Sequence, residues 1–269
     1  SDLVAFPDLS FLSTLFMDLK NKVVVITGGA VGIGYEIADN YLKKGAKVAV
    51  LADVNQQQGE EASKKLNSKH GPGKCVFYKA DVTNENDLNT VFKKVTDAYT
   101  NVDVLVNNAG ILNDIVWKKC IDINVTYLIG WTIKFWEQMR KDKGGKGGTI
   151  VNLCSIYGYR VDPYLPVYQA SKFAVMGFTK SLGHEYNYKN YGVRVVAICP
   201  GFTETSLTTD ENLRTWEDPK RSADLKKFVQ GNSWQKVEAV GRAAVEVYEK
   251  AETGTAWLIE GNRPIVEVP

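Results

Sequence analysis

The chain has 269 residues, 44% hydrophobic and 24% charged, which excludes a mainly disordered, collagen-like or membrane-spanning protein. Its 33 Lys and Arg against 31 Asp and Glu leave a net charge of +2, so charge makes no case for a nucleic-acid or membrane-surface partner. Four cysteines without C-x-x-C spacing and only two histidines, His70 and His184, argue against a metal site. They fit free thiols in a reducing, cytoplasmic setting, with Cys154 and Cys199 as small core residues.

Leu9–Phe16 is apolar but short and has no basic start, so it is not read as a signal peptide. Residues 1–17 are read as an N-terminal extension and 18–269 as one domain. Lys22–Thr27 is a β-branched run, as expected for a strand buried on both faces. A glycine-rich turn and a helix over 33–44 follow, ended by Gly45. Strands are expected at 47–52, 75–79 and 102–106, with helices at 56–68 and 85–100 between them. A long helix is expected over 114–141, then a loop at 143–148, a strand at 149–153, a helix over 167–189 and a strand at 193–198. Residues 203–232 are polar and mixed, and are read as a substrate lid. A helix over 234–250 and a strand at 256–259 close the pattern. This alternation argues for an α/β protein, with one parallel sheet and helices on both faces. Asn124-Val125-Thr126 has the N-x-S/T form but carries little weight without a secretory signal.

Thr27-Gly28-Gly29-Ala30-Val31-Gly32-Ile33-Gly34 joins the first strand to the first helix. Glycines there permit a tight turn and a close approach by a pyrophosphate, and the helix N-terminus offers free N–H groups. Asp53 ends the second strand 19 residues after Gly34, where a carboxylate accepts bonds from ribose hydroxyls and repels a 2′-phosphate. No basic side chain in the glycine loop or in 51–55 would hold that phosphate, so NAD is favoured over NADP.

Tyr168 and Lys172 are four residues apart on one predicted helix face, and Ser155 follows the fifth strand at the edge where open α/β sheets bind ligands. A tyrosine phenol has an ordinary pKa of about 10, and a nearby ammonium favours the phenolate needed for proton exchange with an alcohol. Lys172 is placed to act this way, and Ser155 to hold the substrate oxygen near Tyr168.

With these motifs the sequence resembles the short-chain dehydrogenase/reductase family over about residues 18–260. The family's T-G-x-x-x-G-x-G is matched by Thr27–Gly34, its N-N-A-G by Asn107-Asn108-Ala109-Gly110, and its P-G turn by Pro200-Gly201 with Thr205 beyond. Within the family it most resembles the NAD-dependent 15-hydroxyprostaglandin dehydrogenases and the insect-type alcohol dehydrogenases. The segments carrying this are Val102–Gly110, Pro166–Gly177 and Gly192–Phe202.

The resemblance implies a single-domain Rossmann fold, a doubly wound seven-stranded parallel sheet with helices on both faces. It implies catalytic roles for Asn124, Ser155, Tyr168 and Lys172. Tyr168 would be the general base, Lys172 would lower its pKa and bind the nicotinamide ribose, and Asn124 would hold a water in a proton relay. Cofactor contacts are expected from Gly28, Gly32, Ile33, Gly34, Asp53, Asp81, Val82, Asn108, Gly110, Tyr168, Lys172, Pro200, Thr203 and Thr205. The expected activity is NAD-dependent interconversion of a secondary alcohol and its ketone.

Ile156, Tyr157, Tyr159 and Tyr164 are expected to bound an apolar substrate pocket under the lid. A homodimer or homotetramer built on the helices near 114–141 and 167–189 is implied, with Trp131, Phe135 and Trp136 either at the interface or in the core. Two alternatives stay open at this point: an NADPH-dependent carbonyl reductase, and a non-catalytic NAD-binding structural or regulatory protein.

Overall fold

The computed structural model describes residues 17–209, 218–261 and 263–269. Residues 1–16 of the expected extension and 210–217 of the expected lid lie outside them. Strand β1 (Val23–Thr27) is buried at every position, as a β-branched run between two helical layers must be. The glycine turn leads into α1 (Gly32–Lys43), followed by β2 (Val48–Asp53), α2 (Gln56–His70), β3 (Cys75–Lys79), α3 (Glu85–Tyr99) and β4 (Val104–Asn107). Asparagines start two of these helices. Asn55 accepts the N–H of Gln58 at 3.0 Å, and Asn84 that of Asn86 at 2.9 Å.

The expected 114–141 helix is three pieces: α4 (Trp117–Ile121), a π-helical turn (Asp122–Tyr127) and α5 (Leu128–Met139). A π turn adds one residue without breaking the apolar pattern, so periodicity does not reveal it. After β5 (Gly148–Leu153), the expected 167–189 helix is split into α6 (Pro166–Leu182) and α7 (Glu185–Tyr191). Gly183 marks the break: a Cβ there would lie 2.6 Å from the Gly254 backbone nitrogen. His184 then starts α7, its Nδ1 accepting the N–H of Tyr186 at 3.1 Å. Strand β6 (Val193–Pro200) is followed by α8 (Pro219–Gln230), which fills part of the expected lid. Asp218 starts that helix by accepting the N–H groups of Lys220 and Arg221 at 2.9 and 3.1 Å. Helix α9 (Val237–Lys250), β7 (Ala256–Ile259) and β8 (Val266–Val268) complete the chain.

The sheet order is β3-β2-β1-β4-β5-β6-β7-β8. The seven expected strands are parallel, and the eighth corrects the expected count. It runs antiparallel to β7, pairing Val268 with Ala256. Its three residues are too few for alternation to announce a strand. The order reverses between β1 and β4, which opens a crevice at their carboxyl ends.

Alternate strand residues feed two cores. On one face Val24 and Ile26 pack with Ile37 and Tyr41 of α1 and with Val240 and Tyr248 of α9. On the other, Val23 and Val25 pack with Val91 and Val95 of α3 and with Trp131, Phe135 and Met139 of α5. Trp131 and Phe135 are therefore core residues, whereas partly buried Trp136 meets Tyr191 edge-on at 5.2 Å. Among the described residues no helix is long and apolar enough to cross a membrane.

Phe135 is fully buried and meets the Phe92 ring edge-on at 5.2 Å. Phe135→Ala should cost about 3–5 kcal/mol in denaturant unfolding. A loss under about 1 kcal/mol would mean that this face is loosely packed.

Candidate active site

The crevice holds a cavity of about 490 Å³. One wall is the glycine turn. Gly28 and Gly32 have φ of +62° and +60°, a region where a side chain is strained. Helix α1 starts behind them with no side-chain cap and no acidic residue in its first turn. Its free N–H groups and positive dipole end suit an anion. Gly34 does not line the cavity. It lets α1 close on the turn, since a Cβ there would sit 2.3 Å from the Gly28 carbonyl oxygen.

Threonine 27, not among the expected site residues, ties this turn to the end of β4. Its Oγ1 accepts the N–H groups of Asn108 and Ala109, each at 3.1 Å. Asn108 Nδ2 donates in return to the carbonyls of Thr27 and Gly28 at 3.1 and 2.8 Å. The only sequence signal for Thr27 is its place at the head of the glycine pattern.

At the end of β2, Asp53 Oδ2 accepts the Ala30 N–H at 3.1 Å, and Oδ1 accepts that of Asn55 at 3.0 Å. The carboxylate therefore sits on the glycine turn. Asp81 lies beyond β3, and hydrogen bonds from the Thr83 hydroxyl and N–H hold its carboxyl below the ordinary range. Lys119, also outside the expected set, lines the cavity and lowers Asp81 further. Ile33, Val82, Gly110, Pro200, Thr203 and Thr205 complete the expected residues on this side.

The other end belongs to β5 and α6. Lys172 is buried and donates from Nζ to the Leu153 carbonyl at 2.8 Å. Ser155 stands two residues beyond Leu153, its Oγ accepting the Tyr157 N–H at 3.2 Å. Tyr168, Ser155 and Lys172 all line the cavity, with Lys172 Nζ 5.6 Å from the centre of the Tyr168 ring. Burial pushes the Tyr168 phenol up, and hydrogen bonding with Ser155 pulls it part of the way back. Burial pushes the Lys172 ammonium down, opposed by the Cys154, Cys120 and Cys199 thiols. Desolvation is thus the largest influence on the Tyr168 phenol, ahead of the opposing Ser155 bond.

Asn124 does not line the cavity. It lies buried in the π turn, where its Oδ1 accepts the Ile111 N–H at 2.9 Å. Its Nδ2 donates to the Ile111 carbonyl at 2.9 Å and to Ser171 Oγ at 3.0 Å. Ser171 Oγ donates to the Tyr168 carbonyl at 2.7 Å, so Asn124 braces both α6 and the loop after β4.

Leu112, Ile156, Tyr157, Leu165, Phe202 and Leu207 form an apolar wall continuous with Leu225 and Val229 of α8. Tyr159 differs from expectation, whereas Tyr164 packs against this wall. Tyr159 packs with Cys154 and Met176, and Tyr164 lies 5.3 Å from Phe228, centre to centre. Among the described residues neither faces the cavity.

Residues 22–216 match the short chain dehydrogenase family. The chain belongs to that family. It is an oxidoreductase whose relatives include hydroxyprostaglandin and alcohol dehydrogenases. It is 41% identical over 201 residues to the 15-hydroxyprostaglandin dehydrogenase (NAD+) of Macaca fascicularis, covering 73% of this chain and 75% of that one. It is 34% identical over 244 residues to alcohol dehydrogenase 2 of Ceratitis cosyra, covering 90% and 92%. Among solved structures, an NAD+-bound xylitol dehydrogenase superposes with a TM-score of 0.76 at 22% identity, over 91% of this chain and 100% of that one. A levodione reductase gives a TM-score of 0.77 at 24% identity, over 90% and 97%. These two likenesses speak to the fold.

The close approach of Gly34 to Gly28 sets the shape of the candidate anion-binding turn. Gly34→Ala should weaken dinucleotide binding roughly tenfold or more, a loss of about 1.4 kcal/mol or above, measured by fluorescence titration. Unchanged affinity would remove the turn from the binding site.

Proposed function

We propose that the chain is an NAD-dependent dehydrogenase that interconverts an apolar secondary alcohol and its ketone. The observation that carries this is the convergence of Ser155, Tyr168 and Lys172 on one cavity with an uncapped, glycine-bounded helix N-terminus. Gly28, Gly32 and Ile33 would hold the pyrophosphate, and Asp53 the adenosine ribose. Asp81 and Val82 would flank the adenine. Asn108, Gly110, Pro200, Thr203, Thr205 and Lys172 would hold the nicotinamide half. A carboxylate already bound to the glycine turn disfavours a 2′-phosphate, which supports NAD over NADP.

Bound oxidised dinucleotide supplies the hydride acceptor and a positive charge to the site. Ser155 donates a hydrogen bond to the substrate oxygen and orients it toward Tyr168. The Tyr168 phenolate takes the hydroxyl proton as the alcohol is oxidised and returns it in ketone reduction. Lys172, held by the Leu153 carbonyl, carries the charge that favours the phenolate. Asn124 keeps α6 and the Ile111 loop at a fixed separation. The apolar wall supports an apolar substrate: the charged described residues on the cavity, Asp53, Asp81 and Lys119, gather on the cofactor side, apart from Lys172. Leu207 and the α8 residues Leu225 and Val229 would cover that substrate.

Exposed Ile133 on α5 and Phe173 on α6 suit the pairing of two copies, which sedimentation of the purified chain tests against a monomer. Four free, buried thiols support a cytoplasmic setting.

Tyr168→Phe removes the proton acceptor and keeps the ring. It should lower turnover by roughly 10²-fold or more while NAD affinity stays within about twofold. Because the Tyr168 phenol lies above its ordinary value, the wild-type oxidation rate should rise with pH and the reduction rate should fall. Wild-type turnover in Tyr168→Phe would sink the mechanism.

A further inference from the structure

Helix α6 carries Tyr168 as its third residue, so the placement of the phenol depends on how this helix starts. Its local start is poor. Leu165 stands at the capping position and has no side-chain acceptor, and Pro166 has no N–H. The next two N–H groups are those of Val167 and Tyr168 itself, and both are taken by one distant carboxylate. Asp114 Oδ2 accepts the Val167 N–H at 2.9 Å, and Oδ1 accepts the Tyr168 N–H at 2.9 Å.

Asp114 is fully buried and comes from the loop after β4. That loop begins with Asn108 and Gly110 on the cavity wall and is pinned at Ile111 by Asn124. Arg221 of α8 faces the Asp114 carboxylate, as do Asp162 and the Cys120 thiol. The Arg221 guanidinium also donates to the Pro163 carbonyl, in the segment that enters α6.

This is an expensive way to cap a helix. Burial pushes the Asp114 carboxyl up, only partly offset by the Val167 and Tyr168 N–H groups and by Arg221. A carboxyl raised on folding is less willing to ionise in the native state. Its charge therefore subtracts from stability above the unfolded pKa, and the loss is absent below it. Position 165 is not open to a local cap, because Leu165 is buried in the apolar wall. The remote carboxylate does what a local cap does not: it ties the Tyr168 backbone to the loop that lines the cofactor side.

We propose that Asp114 is a positioning residue, which holds Tyr168 in register with the dinucleotide wall by accepting its backbone N–H from the β4 loop. This rests on the dehydrogenase reading above. The test compares wild type, Asp114→Asn, Asp114→Ala and Tyr168→Phe. Asparagine keeps the volume and offers one acceptor in place of two, so a folded variant is available if Asp114→Ala does not fold. Asp114→Asn should lower kcat roughly 10- to 100-fold, as expected for a small misplacement of a reacting group. Its KM for NAD should stay within about twofold, and its thermal midpoint should hold or rise as a buried charge is removed. The pH profile of kcat should move as well.

An activity-independent reading comes from ¹³C-tyrosine NMR, with the Tyr168 signal assigned by its loss in Tyr168→Phe. That signal should shift in Asp114→Asn while the distant Tyr248 signal does not. A lowered thermal midpoint with wild-type kcat and an unmoved Tyr168 signal would overturn the proposal and leave a purely structural cap. An inactive wild type whose Tyr168 signal still moves would instead overturn the dehydrogenase reading and retain the positioning contact.

Discussion

A buried ammonium ties the chemistry of this protein to its fold. Lys172 reaches from α6 to the Leu153 carbonyl at the end of β5, at 2.8 Å. Taking a charge out of water costs several kcal/mol unless partners remain, and here a sheet-edge carbonyl is one. That contact fixes α6 against the strand whose next turn presents Ser155. Tyr168, one helical turn before Lys172, arrives at the same cavity. The sheet edge, the helix and the proposed reacting side chains are therefore one geometric unit.

The opposite wall is fixed by polar contacts of another kind. Four hydrogen bonds join the ends of β1 and β4: two from Asn108 to Thr27, one from Asn108 to Gly28 and one from Ala109 to Thr27. Asp53 adds a bond to Ala30. Each satisfies backbone groups that a glycine-rich turn would otherwise leave to water. The two walls meet through the loop after β4, braced by Asn124 at one end and by Asp114 at the other.

Much of this was legible in the sequence because it rests on local pattern. The β-branched run at 23–27, the glycine turn, and the spacing of Tyr168 and Lys172 each follow from neighbouring residues, and all parallel strands appear where periodicity puts them. What escaped depends on distant or aperiodic contacts. The π turn at 122–127 leaves the apolar stripe intact. The break at Gly183 comes from the approach of Gly254, some seventy positions on. Tyr159 turned to other neighbours because aromatic character does not fix direction. Thr27, Lys119 and Asp114 took their places through partners on other elements. The net rise of the Tyr168 phenol reflects burial, which four-residue spacing does not report.

The proposed reaction of this cavity is the oxidation of apolar secondary alcohols with NAD. The direct measurement is the near-ultraviolet absorbance of reduced nicotinamide, followed with purified protein on hydroxylated fatty acids, terpenoid alcohols and sterols. Each is run with NAD and with NADP. A steady rise is expected with NAD on at least one of these classes, and a much slower one with NADP. No rise on any class while NAD binds tightly, or a faster rise with NADP, would contradict it.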